Sequence, residues 1–162
     1  MKPHRIDRLI EARSLEAVPA DDAEVAAAWA SALREWSDGT VPGLSVPGAF
    51  THVYQAGLRA AAAMLRAAGY RVRGAVGGHH HITFYAAGAL GDPALEAIAD
   101  AMQNIRGGRH TALYGDEEEL EPEDLEHARD LVARLLRAIH AWLLADRPVL
   151  ANRLKAPPAG PS

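Results

Sequence analysis

The sequence predicts an all-α protein in which four or five substantial helices form a bundle. Apolar residues make up 49 % of the 162 residues and aromatic residues only 6 %, and alanine dominates the apolar set. Alanine is the best helix former and a poor strand former. Several segments carry apolar residues at the spacing of an amphipathic helix, and no stretch shows sustained period-two alternation. Helices with one wide apolar face each must pack against one another, so a bundle is the simple solution.

Two helices are expected before residue 40. The first is short, spans residues 6 to about 18 and ends at Pro19. Asp21 and Asp22 then offer an N-cap to the second helix, which residues 37–39 end. The apolar stripe of the second helix consists of Val25, Ala28, Trp29, Ala32, Leu33 and Trp36.

The strongest helix signal of the first half follows a loop expected over residues 40–48, which holds two prolines and two glycines. One helical face runs from Phe50 to Ala68, and Gly69 stands where a left-handed C-cap belongs. Residues 71–78 are expected to be a glycine-rich linker.

Three more helices are predicted in the second half. One covers residues 79–90, and the Asp-Pro pair at 92–93 caps the next, which Gly107-Gly108 weakens or ends. Acidic residues at 121–124 open the last helix, where the helix dipole favours negative charge. Pro148 is expected to end or kink it.

Composition bounds the class of protein. Residues 1–154 are expected to form a single domain, and the Pro-rich residues 155–162 a disordered tail. The absence of cysteine excludes disulfides and Cys-based zinc sites. No apolar run approaches the roughly 20 residues of a membrane span, and the first residues have no apolar signal-peptide core. We therefore expect a cytoplasmic protein that makes no membrane contact.

The chain resembles the HEPN domain family in the order of three stretches. These are Tyr-Gln-Ala-Gly-Leu-Arg-Ala at 54–60, Ala-Gly-Tyr-Arg-Val-Arg-Gly at 68–74 with Gly-His-His at 78–80, and Arg-His-Thr-Ala-Leu-Tyr-Gly-Asp at 109–116. The resemblance covers residues 23 to about 144. It implies an up-and-down four-helix bundle with extra short helices, and a homodimer. Many HEPN proteins are metal-independent ribonucleases of toxin or defence type, and others bind nucleotides or pair with a nucleotidyltransferase antitoxin.

Carried over residue by residue, the resemblance puts the family's catalytic arginine at Arg109 and its next polar position at His110. Tyr114 stands where active relatives carry histidine, as it does in a subset of the family. Metal-free RNA cleavage needs a cation for the phosphate, which arginine supplies, and proton transfer near neutral pH, which histidine supplies. Tyrosine is a poor base at pH 7, so Tyr114 would orient the substrate.

A basic neighbourhood is the second candidate, as a surface that holds RNA or nucleotide phosphates. Arg59 and Arg66 are seven residues apart and share a helix face, and Arg106 could join them in the bundle. His79 and His80 follow two glycines and could line an anion-binding helix start. The alternative is an ordinary solvated face with helix-capping histidines. No metal is expected, because no histidine pair has the i, i+4 spacing of a helical zinc site. No cofactor is expected either, since the sequence contains neither a Walker motif nor a dinucleotide-binding GxGxxG.

Two functional hypotheses stay open, beside a third and blander option, a helical bundle whose site has decayed. In the first, the chain is a homodimeric HEPN protein that cleaves or binds RNA or a nucleotide. In the second, it is a non-catalytic interaction or nucleotide-binding module. Tyr114 in place of histidine and the formal net charge of −4 favour this second hypothesis. In some relatives a partner nucleotidyltransferase modifies a motif tyrosine. An acidic run at 116–124 would repel RNA if it lay near the phosphate site.

Overall fold

The described part of the chain is mostly helical. The computed structural model describes residues 3–73, 80–105 and 120–158. Its helices are α1 (Pro3–Glu11), α2 (Asp22–Asp38), α3 (Val46–Ala68), α4 (His80–Leu90), α5 (Pro93–Gln103), α6 (Pro122–Asp146) and a C-terminal 3-10 helix (Pro148–Arg153). Two short strands, β1 (Leu15–Ala17) and β2 (Tyr70–Val72), complete it. The all-α prediction is confirmed at this level.

Helices α2 and α3 begin and end at capping residues. The Asp21 carboxylate accepts a hydrogen bond from the Glu24 N–H (3.1 Å), as the N-cap prediction requires. Ser45 caps α3 in the same way, so this helix begins at Val46, inside the segment expected to be a loop. Gly69 ends α3 with a φ of 91°, which confirms the predicted left-handed cap.

The core lies around α3, which packs against α2, α4 and α6. Alanines dominate the buried face of α3, so its neighbours approach closely. At Gly57 an added Cβ would stand 3.4 Å from both Met102 and Val132. The largest fully buried side chains include Trp29, Phe50, Tyr54, Met64, Phe84, Met102, Leu135, Leu136 and Ile139. They come from α2 to α6, so these five helices share one core.

The two strands correct two predictions. Residues 15–17 were expected to be helical and 71–78 to be a linker, yet β1 and β2 pair antiparallel with Leu15 opposite Val72. The first helix ends at Glu11 because the chain turns at Arg13, whose φ is +59°. Three-residue strands are too short to show a period of two. The sheet fastens the chain before α2 to the chain after α3.

The second half follows the predicted signals with one difference. The Asp92 carboxylate accepts from the Leu95 N–H (2.8 Å) and caps α5. This helix ends at Gln103, before the glycines at 107–108, which lie outside the described residues. Helix α6 begins after Glu121, whose N–H donates to Asp124 (2.8 Å). It ends at Asp146, just before Pro148, as predicted.

The chain after α6 returns across α2 and α6. Leu150 and Leu154 are buried, and the Trp29 indole N–H donates to the carbonyl oxygen of Lys155 (2.9 Å). The chain is therefore fixed at Lys155, the first residue of the expected tail. Nowhere in residues 3–73, 80–105 or 120–158 is a helix long and apolar enough to cross a membrane.

Candidate functional site

Five of the eight predicted site residues lie outside the described residues. They are the whole catalytic set and two members of the phosphate-binding set: Arg109, His110, Tyr114, Arg106 and His79. Of the acidic run at 116–124, only residues 120–124 are described. Arg59, Arg66 and His80 are the members whose surroundings the structure gives.

Arg66 lies inside the protein, with only 7 % of the residue exposed. Its Nε donates to the Glu24 carboxylate, and its two terminal nitrogens donate to the carbonyl oxygens of Tyr70 (3.3 Å) and Pro19 (3.1 Å). Glu24 lies on α2, Pro19 just precedes it, and Tyr70 begins β2. The guanidinium of Arg66 therefore joins the start of α2 to the end of α3.

Glu24 stands between two arginines. Besides Arg66, the Arg71 guanidinium donates to both oxygens of its carboxylate (2.8 and 3.1 Å). The hydrogen bonds from Arg66 and then from Arg71 lower the pKa of Glu24. The carboxylate is therefore ionised at neutral pH and balances one of the two positive charges.

Arg59 also faces α2. It donates to the Ser31 hydroxyl, and a terminal nitrogen lies 3.6 Å from a Glu35 carboxylate oxygen. Its side chain is 43 % exposed. Arg59 and Arg66 thus share a helix face, and that face packs against α2. Only Arg59 keeps substantial contact with solvent.

Three side chains beside Arg59 could hold a metal ion. The ligand atoms of Glu35, Asp38 and His52 lie within 4.8 Å of one another. The His52 Nδ1 is 2.9 Å from a Glu35 oxygen, and Arg59 offers Glu35 a positive charge. These contacts explain the cluster without a cation. No spacing along the chain predicts this cluster, because its residues belong to two helices. These helices approach at Gly39, where an added Cβ would lie 3.1 Å from the His52 Cβ.

His80 lies at the start of α4, against an aromatic cluster. The residue is 8 % exposed, and its ring meets the Tyr54 ring edge-on at 6.0 Å. Tyr54 also meets Phe84 edge-on and stacks on Phe50. Burial raises the pKa of Tyr54, so its phenol stays protonated. The imidazole of His80 is therefore part of the core packing.

A groove that the sequence did not predict lies between α2 and the C-terminal 3-10 helix. It has a volume of about 450 Å³, and we call it the α2 groove. Among its lining residues are Trp29, Leu33, Arg34, Asp38, Arg153 and Lys155. Arg34 is more than a hundred residues away from Arg153 and Lys155 in the sequence, so no local motif could have indicated that they lie together.

The described candidates serve packing more than chemistry. Arg66 and His80 are buried among protein groups, and Arg59 faces α2 with a carboxylate beside it. Among the described residues, Arg34, Arg153 and Lys155 are exposed cations that line one groove, the α2 groove. No protein-family model, no curated protein and no solved structure matches this chain.

Proposed function

We propose that this protein is a non-catalytic interaction module of the HEPN type, an up-and-down four-helix bundle that works as a homodimer in the cytoplasm. Its partner would be a nucleotidyltransferase, as the resemblance implies. The helical content and the central position of α3 agree with this architecture.

The contacts of Arg66 are the observation that carries the proposal. An RNA-binding surface needs several accessible cations, because affinity comes from neutralised phosphates. Arg66 is instead buried, and its three guanidinium nitrogens donate hydrogen bonds to Glu24, Pro19 and Tyr70. Arg59, the other arginine of that face, has a carboxylate of Glu35 beside it. The α3 arginines thus support packing against α2, which favours a protein partner over RNA.

Tyr114 is the residue through which the partner would act. Its phenolic oxygen would attack the α-phosphorus of ATP, forming a tyrosyl–AMP bond. The bond to the β-phosphate breaks, pyrophosphate leaves, and the phenolic proton passes to solvent. This step belongs to the partner enzyme, and the present chain supplies only the acceptor.

The test combines the protein with its partner nucleotidyltransferase and ATP. We expect the mass of the chain to rise by one AMP group, and the variant Tyr114→Phe to stay unmodified. The matched control is Tyr70→Phe, which should be modified like the wild type. Light scattering should give the mass of a dimer at micromolar concentration. A monomer, or equal modification of Tyr114→Phe, would contradict the proposal.

The order Arg109, His110 and Tyr114 favours a second candidate, a metal-independent ribonuclease. End-labelled single-stranded RNA and tRNA are incubated with the purified protein in EDTA, beside Arg109→Ala and the control Arg137→Ala. If the protein is a non-catalytic module, we expect either no RNA cleavage or the same cleavage by the wild type and by Arg109→Ala. Cleavage that persists in EDTA, survives in the control and disappears in Arg109→Ala would replace the module with the enzyme.

A further inference from the structure

We propose that the α2 groove binds a small organic anion, one with a carboxylate or phosphate group on a compact apolar body. The volume of about 450 Å³ lies in the range of small-molecule sites, roughly 300–1,000 Å³. The site shares no residue with Arg109, His110, Tyr114 or the Arg66 contacts. The inference therefore stands independently of the proposed function.

Charge is the first argument. The structure describes the side chains of fourteen arginines and lysines, and seven of them form no ion pair with a described residue. Three of these seven, Arg34, Arg153 and Lys155, line this one groove. Asp38 is the carboxylate among the lining residues. Within a chain of net charge −4, the groove is a local excess of positive charge that an anion would neutralise.

The apolar part of the lining is the second argument. Leu33 and Ala30 are partly exposed and form the apolar lining of the groove, and the fully buried Trp29 supports it from inside the core. Trp29 is held on two sides, since its N–H donates to the Lys155 carbonyl and its ring stacks on His140 at 5.3 Å. A wall fixed before the ligand arrives lowers the entropy lost on binding. Such a wall suits a flat or alkyl body, which bare phosphate lacks.

The two arginines of the groove determine which chemical group of the ligand they can bind. A guanidinium donates two parallel N–H bonds to a carboxylate or a phosphate with the same geometry. Arg34 and Arg153 supply two such forks, one from α2 and one from the C-terminal 3-10 helix. An anionic head held at the rim would leave the apolar body over Leu33 and Ala30.

The experiment is isothermal titration calorimetry on the full chain at low ionic strength. The probes are 1-naphthoate for a carboxylate and adenosine 5′-monophosphate for a phosphate, and 1-naphthalenemethanol is the uncharged control. We expect at least one anion to bind, one per chain, and 0.5 M salt to weaken it. Arg34→Gln and Arg153→Gln should each weaken binding about tenfold, the loss of a charge-assisted hydrogen bond. Arg8→Gln removes the same charge from α1 and should change nothing.

The possible results distinguish a carboxylate ligand from a phosphate ligand, and both of these from a groove that binds no anion. Binding of naphthoate alone supports a carboxylate ligand, and binding of the nucleotide supports a phosphate monoester. Circular dichroism checks that the variants keep their fold, as expected for exposed residues. The proposal is overturned if neither anion binds at millimolar concentration, if the uncharged probe binds equally, or if Arg8→Gln weakens binding as much as Arg34→Gln.

Discussion

At the scale of single residues, Arg66 shows what a sequence pattern predicts and what it omits. The seven-residue spacing predicts that Arg59 and Arg66 share a face of α3, and both contact α2. The spacing does not say what that face meets. Its partner Glu24 is 42 residues away in the sequence, so only the fold reveals that the guanidinium is buried.

Replacing Arg66 should destabilise the fold. Arg66→Ala removes three internal hydrogen bonds, one of them to a carboxylate, and leaves a gap between α2 and α3. We expect the free energy of unfolding to fall by about 3 kcal/mol. For a chain of this length the midpoint of thermal unfolding would drop by roughly 6–12 °C. The control Arg134→Ala breaks an exposed pair with Asp130 and should stay within about 0.5 kcal/mol of the wild type. Equal losses would mean that the buried contacts of Arg66 contribute little.

The pKa of Glu24 gives this region a pH dependence. Because the hydrogen bonds from Arg66 and Arg71 lower the folded-state pKa, the stabilisation is complete above the ordinary value of 4.5. It disappears as the pH falls through the lower folded value. Urea unfolding should therefore find Glu24→Gln less stable than the wild type at pH 7, with the difference shrinking below pH 4.5. Glu126→Gln, an exposed control, should show little difference at either pH. A gap between Glu24→Gln and wild type that stays constant with pH would contradict this.

At the scale of elements, the helix ends marked by capping residues were the features predicted most accurately. Asp21, Gly69 and Asp92 each occupy the predicted cap, because a cap is a local hydrogen-bond pattern. Where the prediction was wrong, the cause lies between distant segments. Strands β1 and β2 exist because they pair with each other across most of the first half of the chain. Neither carries enough residues to show its own periodicity.

Two glycines of α3 and its cap should respond in opposite directions to alanine. Gly69 has a φ of 91°, where a Cβ is strained, so Gly69→Ala should cost about 1–2 kcal/mol. Gly57 has helical geometry, and the atoms nearest to an added Cβ are 3.4 Å away or farther. Gly57→Ala should therefore be neutral or stabilise by up to about 1 kcal/mol, as alanine is the better helix former. Chemical denaturation of both variants measures the two signs, and a stabilising Gly69→Ala would refute the strain argument.

At the scale of the whole molecule, the fold class was predictable and the sites were not. Helical periodicity and alanine content are summed over long segments, so the all-α prediction does not depend on any single residue. The α2 groove brings together Arg34 of α2 and Arg153 of the C-terminal 3-10 helix. The cluster of Glu35, Asp38 and His52 brings together side chains of α2 and α3. No spacing along the chain encodes either one, because each forms only when the helices have packed. The predictions at Arg109, His110 and Tyr114 stay predictions.

The position of α3 also limits how this protein can diverge. This helix contacts α2, α4 and α6, and most of its residues are buried. A side chain larger than the methyl group that Gly57 can accept disturbs several neighbours together, so such changes require compensating changes in two or three other helices. Substitutions on the outer faces of α2 and α6 do not require compensating changes in other helices. We expect homologues that acquire new ligands or partners to differ on those outer faces while the small residues of α3 stay the same.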